Sequence, residues 1–164
     1  MTFNEINIIT LHPFIPAGIR FKDGDNKEEI IYQAAHHQLV ASAKAVKLGH
    51  EINPDFKIGC MMVYPLAYAE TCNPNDVRAT QENMNTHYFF SDVHVRGYYP
   101  SYSQRVFKEK DIHLDIHDGD LEILKQYPVD FISFSYYQSR CASANPKMGM
   151  TDGNVVKSVK NPYL

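Results

Sequence analysis

The chain has 164 residues, and its 44% apolar and 21% charged content is that of an ordinary globular protein. Its formal net charge of -3 and its scattered basic residues argue against a nucleic-acid or membrane partner. Three cysteines without paired spacing, and no apolar run near the ~20 residues that cross a membrane, predict a soluble cytoplasmic protein of one domain.

The first predicted element is the carboxyl end of a strand, in an apolar, β-prone stretch that begins at Met1 without a polar lead-in. Residues 10–24 form a predicted loop, because proline and glycine interrupt them repeatedly. Asp25 followed by Glu28 resembles a capping box, and apolar residues then recur at helical spacing as far as Gly49. This pattern predicts a long helix.

The rest of the chain alternates between predicted strands and helices. Residues 57–64 form a short, nearly continuous apolar run, which is typical of a strand buried on both faces, and residues 129–137 predict another strand. Between them lie three predicted helices, at residues 74–90, 102–110 and 118–127. Residues 140–164 are turn-rich and show no strong period. This order predicts an α/β fold with a parallel sheet and flanking helices.

Two groups of polar side chains follow predicted strands. Asn4 and Glu5 come after the first strand, and Ser135, Tyr136 and Tyr137 end the last one. Functional side chains of parallel α/β proteins gather at these carboxyl ends. A glutamate beside an asparagine has the chemistry of a general acid with a substrate-binding amide. The alternative is a surface glutamate next to a turn-favouring asparagine, and spacing alone favours that alternative.

A family resemblance favours the general-acid interpretation. Residues 2–5 (Thr-Phe-Asn-Glu) resemble the acid/base signature of glycoside hydrolase family 1, and Ile-Asn at residues 6–7 is similar to the branch that cleaves 6-phospho-β-glucosides. Residues 34–46 resemble the helix after that strand, and residues 130–137 resemble the sixth barrel strand. The resemblance implies a partial (β/α)₈ TIM barrel, from the end of strand 4 to just past strand 6, with residues 1–164 as one partial domain of a longer catalytic domain.

The resemblance also implies roles for individual residues. Glu5 matches the general acid/base of a retaining glycosidase, and Asn4 matches the amide that binds the sugar 2-hydroxyl. Tyr137 matches the tyrosine that donates a hydrogen bond to the nucleophilic carboxylate. Ser135 stands where many members have Asn. The implied substrate is a phosphorylated β-glucoside, and no cofactor or metal is implied.

The nucleophile that such an enzyme needs is expected outside this chain. In the family it lies in an Ile/Val-Thr-Glu-Asn-Gly segment, and Glu-Asn-Gly does not occur in the 164 residues. The residues that bind the 6-phosphate are also expected elsewhere, so the isolated chain is expected to have no turnover. Two alternatives stay open: a non-catalytic truncated or half-barrel fragment that assembles with other chains, and a fragment of a plain β-glucosidase. Uncovered sheet edges favour self-association.

The histidines offer a weaker hypothesis. In a strand, His113, Asp115 and His117 would share one face and could bind a divalent metal. The pattern favours a solvated face with the intervening apolar side chains turned inward. His36 and His37 point about 100° apart on the first long helix. They are predicted to be packing or surface residues.

Overall fold

A computed structural model describes residues 1–145 and 159–161 of the chain. Its elements are, in chain order, a 3₁₀ helix (Ile6–Thr10), α1 (Phe14–Ala17), α2 (Lys27–Ile52), β1 (Gly59–Val63), β2 (Ala67–Ala69), α3 (Pro74–Arg96), α4 (Ser101–Glu109), α5 (Asp120–Gln126), β3 (Phe131–Ser135) and β4 (Arg140–Ala142). The predicted α/β order with flanking helices is confirmed. No helix within the described ranges is both long and apolar enough to cross a membrane.

Strand β1 lies between two other extended segments. It pairs with β3 in parallel over the full length of both strands. On its other side, the Thr2 amide donates to the Gly59 carbonyl at 2.8 Å, and the Met61 amide donates to the Phe3 carbonyl at 3.1 Å. These two bonds hold residues 2–3 beside β1, but the predicted strand end does not form within residues 1–5. Four of the five residues of β1 are buried, as expected for a strand covered on both faces.

A second parallel pair, between β2 and β4, follows the first pair along the chain. Neither strand was predicted, because three residues are too few to show a period of two. The prediction that the chain is turn-rich from residue 140 onward is therefore wrong for Arg140–Ala142. Cys141 also pairs with Val159 through an antiparallel bridge. The rest of that prediction falls mainly on residues 146–158 and 162–164, which lie outside the described residues.

The start of α2 differs from the predicted capping box by one residue. Asn26 is the N-cap, and its side-chain oxygen accepts the Glu29 amide at 3.3 Å. Asp25 instead accepts the Lys22 amide at 2.7 Å, within the preceding turn. Because that turn already uses the Asp25 carboxylate, the next polar residue takes the capping position.

The β-prone residues after Glu5 do not form a strand either. Ile6–Thr10 form a 3₁₀ helix, and Phe14–Ala17 add one helical turn within the predicted loop. Ile6 and Ile9 are three residues apart and are 2% and 0% exposed. A helical turn buries both against the core, and this burial outweighs their local preference for extended backbone.

The core is built between α2 and α3 around an aromatic cluster. Phe89 is 1% exposed, and its ring centroid lies 5.2 Å from that of Tyr32 and 5.6 Å from that of Tyr99. Helix α3 continues beyond the predicted end at residue 90, because Val93 is also buried at 1% exposure. Gly97 then ends the helix with φ of 72°, in the left-handed region where a side chain is unfavourable.

Candidate active site

Glu5 is positioned by an unusual backbone conformation. Its φ of 50° and ψ of 46° lie in the left-handed region, which costs a non-glycine residue about 1–2 kcal/mol. This conformation turns the extended start of the chain into the 3₁₀ helix that follows. Such strain persists only where surrounding contacts maintain it, and it is common at functional sites.

Glu5 meets Tyr137 across the end of β1. The Tyr137 hydroxyl donates to Glu5 Oε1 at 2.9 Å. Glu5 follows the segment on one side of β1, and Tyr137 follows β3 on the other side. The structure therefore brings together two of the predicted site residues at the carboxyl edge of the sheet. In this arrangement Tyr137 donates to the predicted acid/base, and its predicted bond to the nucleophile, which is expected outside this chain, stays a prediction.

The third residue of the predicted site, Asn4, and the neighbouring Ser135 make less defined contacts. Asn4 is exposed beside Glu5, and Tyr137 itself is 72% exposed. The Ser135 hydroxyl lies 4.0 Å from the sulfur of Met61, a long contact to a weak acceptor. The edge that carries Glu5 is thus open on the Tyr137 side.

A chain of buried polar side chains lies behind this edge, and sequence reasoning missed it. Asn7, His87 and Arg140 are 0%, 2% and 3% exposed. Asn7 Nδ2 lies 3.1 Å from His87 Nδ1, and His87 Nε2 lies 3.3 Å from Arg140 Nη2. The only signal in the sequence was a lone polar residue, Asn7, within an apolar run.

Arg140 is the charged member of this buried polar group. Its Nη2 donates to Asn83 Oδ1 at 3.1 Å, while Nε and Nη1 have no hydrogen-bond partner within the described ranges. Burial lowers the pKa of its guanidinium. Burial, followed by the charge of Arg140, lowers the pKa of His87 to about 4. His87 is therefore neutral at physiological pH.

His36 forms a separate buried cluster. Its Nδ1 lies 2.7 Å from the Tyr99 hydroxyl and its Nε2 lies 3.0 Å from Asp120 Oδ2, at 0% exposure. Partial burial pushes the Asp120 pKa upward, but hydrogen bonds from His36 and from the His117 amide outweigh this effect and lower it. The cluster connects α2 to α5, so the prediction that His36 is a packing residue is confirmed.

The structure does not assemble the hypothetical metal site. His113 pairs with Asp111 at 2.9 Å, and His117 pairs with Asp115 at 3.4 Å, in two separate exposed pairs. No strand forms at residues 113–117. Across residues 1–145 and 159–161 there is no group of three or more histidine, cysteine or acidic side chains that could hold a metal ion.

The sequence of the chain matches a known protein family. Residues 1–164 match glycosyl hydrolase family 1. The chain is 50% identical over 165 residues to the aryl-phospho-beta-D-glucosidase BglH of Bacillus subtilis. It is 52% identical over 165 residues to the 6-phospho-beta-glucosidase AscB of Escherichia coli. Each alignment covers the whole chain but 35% of the relative, so the chain spans about a third of the length of these proteins.

The fold comparison agrees with the sequence comparison. The structure matches the family 1 β-glucosidase of Thermotoga maritima with a TM-score of 0.70 and 25% identity, over 90% of this chain and 32% of that one. The predicted partial barrel, with parallel strands and flanking helices, is thereby confirmed. The chain belongs to glycosyl hydrolase family 1.

Proposed function

We propose that this chain supplies the acid/base part of a retaining 6-phospho-β-glucosidase, with Glu5 as the general acid/base. The observation that carries the proposal is the 2.9 Å hydrogen bond from Tyr137 to Glu5 at the carboxyl edge of the parallel strands. In barrel enzymes this edge holds the active site. The strained backbone of Glu5 adds support, because strain of this kind is concentrated at functional residues.

The proposed reaction proceeds in two steps. In the first, protonated Glu5 gives its proton to the glycosidic oxygen while the bond from that oxygen to the anomeric carbon breaks, and a nucleophilic carboxylate bonds to the carbon. In the second, the Glu5 carboxylate takes a proton from a water that attacks the same carbon and releases the nucleophile. Asn4 would bind the sugar 2-hydroxyl. The nucleophile, about 5 to 5.5 Å from Glu5, would come from outside this chain.

The proposed substrates are aryl or glucosyl 6-phospho-β-glucosides. Support comes from BglH and AscB, whose names specify phosphorylated glucosides and which match the whole chain. A plain β-glucosidase is the alternative. Comparing phosphorylated and unphosphorylated nitrophenyl glucosides with the protein in its natural full-length context tests the difference. A preference for the unphosphorylated compound would remove the phosphate from the proposal.

The catalytic proposal can be tested in a chimera. The AscB chimera is defined as Escherichia coli AscB in which this chain replaces the matching segment, at 52% identity. We expect the chimera to hydrolyse a nitrophenyl 6-phospho-β-glucoside, whereas the isolated chain, which has no nucleophile, does not. A second chimera in BglH provides an independent framework. Absence of hydrolysis in both chimeras would overturn the proposal, and so would turnover by the isolated chain that survives Glu5→Gln.

A second candidate function is assembly with other chains as a non-catalytic piece. The observation that favours it is an apolar patch formed by Phe134 of β3 and by Tyr136, which follows the strand: Phe134 is 61% and Tyr136 is 52% exposed. Within the described ranges, β3 pairs with β1 alone, which leaves its other edge open. Both features support self-association of the isolated chain.

Sedimentation velocity measures this self-association. We expect the isolated chain to form dimers or larger species as its concentration rises through the micromolar range. Phe134→Lys is expected to shift the chain toward the monomer, because it places a charge on the apolar patch of Phe134 and Tyr136. Ile52→Lys is the matched control, because Ile52 is 78% exposed but lies at the end of α2. A monomer at every concentration would contradict this candidate function.

We also propose a cytoplasmic location. Cys60, Cys72 and Cys141 are all free thiols. Burial raises the pKa of the Cys60 thiol to about 11, so it stays protonated and unreactive at neutral pH. Unpaired cysteines of this kind suit a reducing compartment.

A further inference from the structure

Asn7 continues the hydrogen bonding of the sheet with its side chain. Its Nδ2 donates to the Val63 carbonyl at 2.8 Å, and its Oδ1 accepts the Val63 amide at 2.9 Å. Val63 is the last residue of β1. The side-chain amide therefore occupies the place that a backbone peptide of a neighbouring strand would take. Because the Val63 N–H can only donate, these two bonds also determine which way the amide points.

A third hydrogen bond holds the same amide from α3. Asn7 Nδ2 lies 3.1 Å from His87 Nδ1, and an amide nitrogen only donates. Arg140 Nη2, which also only donates, lies 3.3 Å from His87 Nε2, so the neutral ring accepts from one of these two donors, and Asn7 makes the shorter contact. Burial and the charge of Arg140 lower the His87 pKa to about 4, which keeps the accepting lone pair free.

The anchored amide lies two residues after Glu5. Ile6, between them, is 2% exposed and is held in the core. The turn from extended backbone into the 3₁₀ helix occurs at Glu5 itself, with φ of 50°. With Asn7 tied to β1 and α3, the Glu5 backbone has little freedom to relax to a common conformation. Its carboxylate is therefore kept within reach of Tyr137.

We propose that Asn7 is a positioning residue for the acid/base: through Val63 and His87 it maintains the left-handed backbone of Glu5 and so aims the carboxylate at the glycosidic oxygen. This inference rests on the proposed function, because it requires Glu5 to transfer the proton. It assigns a role in catalysis to a residue that does not touch the substrate. A misplacement of about 1 Å in such a group can cost about 100-fold in rate.

Two substrates with different leaving groups can distinguish a positioning role of Asn7 from a role in folding. An acidic nitrophenol departs without a proton, whereas an alkyl alcohol needs one from the general acid. In the AscB chimera, we expect Asn7→Leu to lower kcat/KM about 10- to 100-fold for an alkyl 6-phospho-β-glucoside. For a dinitrophenyl 6-phospho-β-glucoside we expect the loss to be less than about threefold, because proton transfer is not needed there.

Ser42→Ala is the matched control. The Ser42 hydroxyl is 1% exposed and donates to Thr2 Oγ1 at 2.8 Å, so its removal also breaks a buried bond to the start of the chain. It leaves the Asn7 anchor intact, and we expect the same kcat/KM ratio between the two substrates as in the unmodified chimera. If the Asn7→Leu chimera does not fold, the Asn7→Ser chimera is tested by the same kcat/KM ratio. Serine keeps a polar group near Val63 but lacks the two-bond geometry of the amide.

The outcomes are distinct from those of the proposed function. An unmodified chimera that hydrolyses neither substrate, in AscB or in BglH, removes the proposed function and this inference with it. If the unmodified chimera is active and the Asn7 variant loses kcat/KM equally on both substrates, or loses none, this inference alone is overturned. A loss confined to the alkyl substrate supports it.

Discussion

Glu5→Gln in the AscB chimera is expected to lower kcat/KM for an alkyl 6-phospho-β-glucoside by about 100- to 10,000-fold, the usual contribution of a general acid. Glutamine keeps an oxygen that can accept the Tyr137 hydroxyl, now 2.9 Å from Glu5 Oε1, so the geometry of the site is retained. Only the transferable proton is lost. For a substrate with a dinitrophenol leaving group, kcat/KM is expected to fall far less, because dinitrophenolate departs without a proton in the first step.

Glu51→Gln is the control for this variant. Glu51 is an exposed glutamate near the end of α2, 3.7 Å from Lys47, and surface pairs of this kind contribute little. Its removal should leave the rates on both substrates unchanged. Steady-state assays with the two substrates measure the effect. Full activity of Glu5→Gln on the alkyl substrate would show that Glu5 is not the acid.

The second large effect concerns stability at mildly acidic pH. His87 and His94 are buried, and burial is the main reason that the pKa of each falls to about 4 from 6.5. Arg140 adds to the shift at His87, whereas the bond from His94 to the Phe90 carbonyl opposes it. Between pH 6.5 and 4 the unfolded chain binds more protons than the folded chain, so stability falls as the pH falls through this window. We expect a loss of about 2 kcal/mol for each histidine between pH 7 and pH 5.

Urea unfolding followed by circular dichroism at pH 7 and pH 5 measures this loss. His94→Leu should remove about half of the pH-dependent loss due to the pair, whatever it does to stability at pH 7. His113→Gln is the control, since the His113 side chain is 80% exposed, and it should leave the loss unchanged. The carboxyls with lowered pKa, such as Asp120, act in a lower pH range, because stability from them is lost only as they protonate. Equal stability at the two pH values would contradict the prediction.

Local patterns were sufficient for the long elements. The helical period behind Asn26 predicts α2, and the apolar run before Tyr64 predicts β1, because both elements bury a regular set of side chains. Short elements were missed for the opposite reason. Three-residue strands such as Ala67–Ala69 carry no period, and Ile6–Thr10 follow the demand for burial rather than their β preference.

The sequence predicts some features of the candidate site and not others. Glu5 and Tyr137 could be named from the sequence, because each follows a strand and matches a family motif. Their contact at 2.9 Å could not be predicted, because they lie 132 residues apart and meet only through the pairing around β1. The Asn7 anchor was equally hidden, since its partner His87 lies 80 residues away on α3.

The sequence by itself determined the family, the α/β class and the identity of the acid/base candidate, because these depend on motifs and periods within single segments. The tertiary structure alone decided the left-handed turn at Glu5, the orientation of its carboxylate toward Tyr137, and the buried chain through Asn7 and His87. The physical reason is that each of these features depends on groups from distant segments. Hydrogen bonds and burial between such groups exist only after the strands and helices have packed.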